Sequence, residues 1–233
     1  MCDALRSVIM SGEIPEGTPL SQITLAERFG VSRTPLREAL RILQSEGLID
    51  LLPNGRIRVS SFSLGDLESL YAMRVSLESV AVAVGARRLP ASAFARLDEL
   101  VAELSSETEM ERWLPLHREL HAHLVSAVDE PLLGTIRRLQ ENSERYRRLY
   151  SSQEPPSWWL PTAAAEHQAI VDACRDGDAH EAGSQLARHL ARTALSLLAS
   201  RDPLYEPVVL RTAVSLAVGQ DPAALTPGEA RRS

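Results

Sequence analysis

From residue 63 to residue 201 the chain repeats one pattern. Apolar side chains recur at a 3.6-residue period, with no stretch of strand-like alternation and no internal repeat. A helix with an apolar stripe must bury it against another element, and with no sheet on offer the partner is another helix, so an all-α bundle is expected here. The helical segments are "SLGDLESLYAMRVSLESVAVAVGARRL" with Ser63 as its cap, "ASAFARLDELVAELSS", "MERWLPLHRELHAHLVSAV" and "PLLGTIRRLQENSERYRRLY". After the loop "SSQEPPSWWLP" come "TAAAEHQAIVDACRDGD" and "AHEAGSQLARHLARTALSLLAS", joined at Asp176-Gly177-Asp178. Trp158 and Trp159 read as loop or interface packing. Past Arg201 an apolar stretch runs into a Pro/Gly/Ala tail expected to be partly disordered.

The first sixty residues read differently. "DALRSVIMSG" predicts a short helix ended by Gly12, and Ile14–Pro19 a loop. "SQITLAERFG" predicts a second helix, capped by Ser21, turned inward at Leu25, Ala26 and Phe29, and stopped by Gly30. A third starts near Ser32 to Pro35, where proline's missing N–H costs nothing, and runs to Gly47. Its Leu36, Ala39, Leu40 and Leu43 form a buried stripe. Arg33, Arg37, Arg41 and Gln44 lie opposite, with Thr34 beside them. Such a face is solvated in most helices, but a tight turn before an arginine-rich helix N-terminus is what a helix-turn-helix presents to a major groove. Two strand-like runs, Leu48–Leu52 and Ile57–Ser60, then flank Asn54-Gly55, a pair suited to a two-residue hairpin turn. The hairpin would be a wing, with Arg56 near its tip and Asn54 and Gly55 bringing the main chain close to DNA.

Length favours two domains: 233 residues, with 44% hydrophobic and 24% charged. Boundaries are expected at 1–61, 62–201 and 202–233. No apolar run is long enough for a membrane span and no signal-peptide pattern opens the chain. Two cysteines, Cys2 and Cys174, make no disulfide framework, so a cytoplasmic location is expected. Net charge is −6. Residues 1–60 hold seven arginines (6, 28, 33, 37, 41, 56, 58) and seven acids (3, 13, 16, 27, 38, 46, 50), so the rest of the chain carries the whole excess. The run Arg137, Arg138, Arg145, Arg147, Arg148 reads as a solvated face, and Cys174 as a small buried hydrophobe.

Helix-turn-helix, "VSRTPLREAL", "EGLI" and a glycine-bearing wing together resemble the GntR family of bacterial transcription factors over residues 3–60. The resemblance implies that Arg33 and Arg37 read bases, with Thr34 and Ser32 on phosphates or base edges. Six histidines follow, and His117 and His121 share one helix face at i and i+4. His167 and His189, on the last two bundle helices, could converge with them. "LHRELHAHLVSAVDEPLL", "EHQAIVDACRDGD" and "HLARTAL" resemble the FCD-type ligand-binding domain of the FadR subfamily of GntR regulators. By that resemblance His121, His167 and His189 fall on family histidines, while His117 stands where the family has Asp. In many members these four positions hold a divalent metal that helps bind a small carboxylate. Imidazole in place of carboxylate favours zinc, nickel or cobalt over manganese or magnesium and leaves the site about one charge more positive. Arg74 and Glu78 also match a family pattern: either a helix-surface or inter-helix ion pair, or Arg74 facing the pocket to pair with an effector carboxylate.

The expectation is therefore a mainly α chain, an N-terminal winged helix-turn-helix followed by an all-α bundle. It would act as a homodimeric DNA-binding regulator, a repressor controlled by a small carboxylate at a zinc site. Two alternatives stay open: a zinc-dependent hydrolase, or a ligand-independent DNA binder. Against the hydrolase, Glu166 adjoins His167 but is expected to point off its face.

Overall fold

The computed structural model describes residues 1–10, 13–14, 17–45, 48–52, 55–60, 63–150 and 159–219. It divides into two compact units, one built on Met1–Ser63 with Glu144–Leu149, the other on Leu64–Ser143 and the chain from Tyr150 onward.

In the first unit α1 (Cys2–Met10), α2 (Gln22–Arg28) and α3 (Arg33–Ser45) pack around Leu5, Leu25, Leu36, Leu40 and Leu43, all buried. Ser21 caps α2 by accepting a hydrogen bond from the Ile23 N–H at 3.1 Å. Gly30 takes the left-handed conformation (φ +62°) that ends the helix and turns the chain into α3. The sheet has three antiparallel strands in the order β1 (Pro19–Leu20), β3 (Ile57–Val59), β2 (Ile49–Leu51). Ile49 faces Val59 and Leu51 faces Ile57 across β2–β3. Ile49, Ile57 and Val59 point into the core, and Arg58 points out to pair with Asp50 at 3.0 Å.

Two expectations need correction. The segment Ile14–Pro19 is not all loop, because Pro19 and Leu20 pair with Arg58 and Ile57. The hairpin closes one residue wider than a two-residue Asn54-Gly55 turn would: the Leu52 N–H donates to the Arg56 carbonyl, and the Gly55 N–H to the Leu52 carbonyl. The residue that would close the shorter turn is Pro53, which has no N–H to give. Pro53 and Asn54 themselves lie outside the described residues.

The described elements after Ser63 are all helices: α4 (Leu64–Arg88), α5 (Ala91–Ser106), α6 (Met110–Leu124), α7 (Leu132–Tyr150), α8 (Trp159–Arg175), α9 (Ala179–Arg201) and α10 (Val208–Ala217), and all but Glu144–Leu149 of α7 belong to the second unit. The central α4 buries residues on most sides, from Leu67 and Tyr71 to Ala81 and Val82, because α9, α10, α8 and α6 all pack on it. Gly183 lets α9 approach: a β-carbon there would sit 3.1 Å from the Ser79 carbonyl. Asp178 caps α9 by accepting from the Glu181 N–H.

The stretch after Arg201 forms α10, whose first turn is anchored by one buried carboxylate. Glu68 of α4 accepts from the Val209 and Leu210 N–H groups (2.6 and 3.1 Å) and from the Tyr205 hydroxyl (2.7 Å). The two N–H groups are donors that a helix start leaves without intrahelical partners. Trp158 and residues 220–233 lie outside the described residues. Of the arginine run, Arg137 and Arg138 are exposed but Arg147 is buried. Among the described residues no helix is long and apolar enough to cross a membrane.

Candidate functional site

In the first unit the leucine stripe holds α3 to its domain and leaves one polar face outward. Ser32, Arg33, Thr34 and Arg37 are all exposed at its N-terminal end. Arg41 pairs with Glu38 one turn away, at 3.3 Å. Among the described residues neither Arg33 nor Arg37 has a carboxylate partner. At the wing, Gly55 (φ +74°) and Arg56 are exposed, and Gln22 at the start of α2 donates to the Gly55 carbonyl at 3.0 Å. That bond ties the hairpin tip to the helix-turn-helix.

In the second unit three helices bring four histidines together. His117 and His121 come from α6, His167 from α8 and His189 from α9, and all are buried. One ring nitrogen from each lies within 4.8 Å of the other three. Ring centroids range from 4.3 Å (His117–His121) to 6.1 Å (His117–His189). Nitrogens around a tetrahedral zinc stand about 3.3 Å apart, so the four would close by roughly 1 Å on an ion. Four buried imidazoles with no hydrophobic reason to meet suit a nitrogen-preferring divalent metal. Trp113 stacks on the His117 ring (centroids 4.5 Å apart) and limits its rotation.

Carboxylates stand behind two of these rings. Glu166 Oε2 is 2.8 Å from His189 Nδ1 and also engages Arg192. Glu166 leaves the His167 face of α8, as its position beside His167 implies, but it reaches the histidine on α9, which the sequence did not show. Glu78 Oε2 lies 3.7 Å from His121 Nδ1 and accepts from Gln140 at 3.0 Å. Arg74 binds Glu78 through Nε (2.6 Å) and Nη2 (3.3 Å), donates to Ser143 through Nη1, and lies over the Tyr71 ring. Burial opposes ionisation of Glu78, but the Arg74 charge, the hydrogen bonds from Arg74 and the nearby His121 outweigh it and hold the carboxyl well below the usual range.

Arg74 and Glu78 thus form neither a surface pair nor an open effector contact. They are a buried ion pair, 2% and 0% exposed, next to His121. Cys174 is buried on α8, and burial pushes its thiol up to about 11. Sequence reasoning missed Gln140 and Ser143, and it noted Glu166 only for its adjacency to His167, not for its contact with His189.

The two units correspond to two known domains. Residues 2–59 match the family described as bacterial regulatory proteins, gntR family. Residues 69–192 match the FCD domain. The chain belongs to the GntR family. It is 32% identical over 206 residues to an HTH-type transcriptional regulator, YieP, of Escherichia coli, covering 77% of this chain and 86% of that one. It is 40% identical over 106 residues to the gluconate operon transcriptional repressor of Bacillus licheniformis, covering 46% of this chain and 40% of the repressor. Against the HTH-type regulators from Agrobacterium vitis and Bacillus subtilis the chain spans 60% and 35% of their length. The solved structure of E. coli McbR/YncC shares the fold, with a TM-score of 0.59 at 24% identity over 84% of this chain and 94% of that one. The FCD match ends at residue 192, so α10 lies beyond it.

Proposed function

We propose that this GntR-family chain is a cytoplasmic transcriptional repressor. It binds an operator as a homodimer, and a small carboxylate acting on a zinc-holding helical domain releases it. The observation that carries the reading is the exposed Ser32-Arg33-Thr34-Arg37 end of α3, held on a leucine stripe inside a GntR-matching helix-turn-helix. Arginine forks suit guanine O6 and N7 in a major groove, and hydroxyls suit phosphates. A second copy would place the same helix one helical turn along a near-palindrome. The wing residues Asn54, Gly55 and Arg56 would meet the flanking backbone. Repression is favoured by the likeness to a protein named as a transcriptional repressor. Cys2 and Cys174 are not joined in a disulfide, in keeping with a reducing compartment.

His117, His121, His167 and His189 would hold the metal. Once bound, the ion supplies a buried positive charge that attracts an anion. Direct effector pairing by Arg74 is not supported, since Glu78 and Ser143 already take its guanidinium. A hydrolase is disfavoured, because the nearest carboxylate, Glu166, is engaged by His189 and Arg192, and the family is one of regulators rather than enzymes.

The test is selection of bound sequences from a random duplex pool, followed by anisotropy titration of the selected site. Arg37→Ala is expected to weaken binding by about 1–3 kcal/mol and relax one base position. An Arg37→Ala chain with unchanged affinity and sequence preference would overturn the assignment of α3.

A further inference from the structure

Glu166 and His167 are neighbours on α8, about 100° apart around the helix, yet both engage the histidine cluster. His167 enters it directly, while Glu166 crosses to α9 and meets the far side of the His189 ring. Arg192, one turn along α9, engages the same carboxylate oxygen.

We propose that Glu166 is a positioning residue for the metal centre: by accepting a hydrogen bond from His189 Nδ1–H, it fixes the tautomer in which Nε2 presents its lone pair to the ion. This rests on reading the cluster as a metal site. A neutral imidazole has one N–H, and which nitrogen carries it follows from the partner of the other face. A carboxylate only accepts, so at 2.8 Å it selects Nδ1–H and leaves Nε2 basic. Arg192 balances the carboxylate's charge and pins it. His189 is almost fully buried while Glu166 keeps 24% of its side chain exposed, so the contact runs from the protein surface to the centre. Carboxylates behind metal-bound histidines orient the ring and raise its basicity, and removing them costs roughly 10–100-fold in metal affinity.

The experiment uses the full chain and zinc ion alone. Affinity is measured by chelator competition for the wild type, Glu166→Ala and Glu166→Gln, beside melting curves of the metal-free proteins. The wild type is expected to bind one zinc per chain and Glu166→Ala to bind roughly 10–100-fold more weakly. Glu166→Gln should fall between them, because its amide oxygen still accepts from Nδ1–H. If the residue served only its ion pair with Arg192, the two variants would behave alike, since neither carries the charge. Long-range nitrogen-15 spectra of the metal-free wild type should show His189 protonated on Nδ1. Equal affinity of Glu166→Ala and wild type, equal affinity of the two variants, or an Nε2–H tautomer would each overturn the proposal. The tautomer decides even if Glu166→Ala fails to fold. A wild type that binds no zinc would instead overturn the metal reading beneath it.

Discussion

The residue that most distinguishes the histidine cluster is His117. It supplies a fourth neutral nitrogen where a carboxylate would bring charge, and Trp113 stacks against its ring. Carboxylate oxygen suits manganese and magnesium, whereas imidazole suits zinc, nickel and cobalt. With equal metals offered together, the wild-type chain should retain zinc, nickel or cobalt and little manganese by elemental mass spectrometry. His117→Asp should raise the manganese-to-zinc ratio, and an unchanged ratio would show that His117 is not a ligand. The i, i+4 spacing of His117 and His121 was legible because both lie on α6. The carboxylates were not, because Glu166 acts on α9 and Glu78 on α6, each across a helix boundary that spacing within one helix does not cross. For the same reason Arg74 could be placed on a face but not seen to be buried against Ser143 of α7.

At the scale of elements, legibility tracked length. Long amphipathic helices such as α5 and α9 repeat their pattern over many turns, so their existence follows from period alone. The two-residue strand β1 has no period to read, and only its pairing with β3 defines it. The hairpin was legible as a wing but not in its closure, where Pro53 forbids a ladder bond. Close helix approach leaves a fainter trace, a single glycine. Gly183 sits where a β-carbon would press on the Ser79 carbonyl of α4. Valine there gains a little helix propensity, about half a kcal/mol, but forces two packed helices apart. Gly183→Val should therefore destabilise the second unit by roughly 1–3 kcal/mol, read as a lowered denaturant midpoint. Unaltered stability would mean that α4 and α9 have slack at this point.

Across the whole molecule, charge and architecture divide the same way. The net-neutral first sixty residues hold the exposed Arg33 and Arg37, and the acidic remainder holds the bundle. What the division leaves over is α10, past the end of the FCD match and visible in the sequence only as an apolar stretch. Its position depends on one carboxylate, Glu68, accepting two backbone N–H groups and the Tyr205 hydroxyl. The hydrogen bond to Glu68, with burial and the nearby negative charge adding to it, pushes the Tyr205 phenol up to about 12, above its ordinary value near 10. A raised folded value for an acid that is neutral when protonated contributes stability fully present below pH 10. That contribution is lost as pH rises toward 12, because a phenolate facing Glu68 repels it. Wild type should therefore melt above Tyr205→Phe at pH 8, and the gap should shrink steadily between pH 10 and 12. Tyr205→Phe has no proton to lose there, and its own pH profile supplies the baseline for every other titrating group. A gap that stays constant to pH 12 would show that the hydroxyl does not anchor α10, and would leave the two backbone donors as the whole of the anchor.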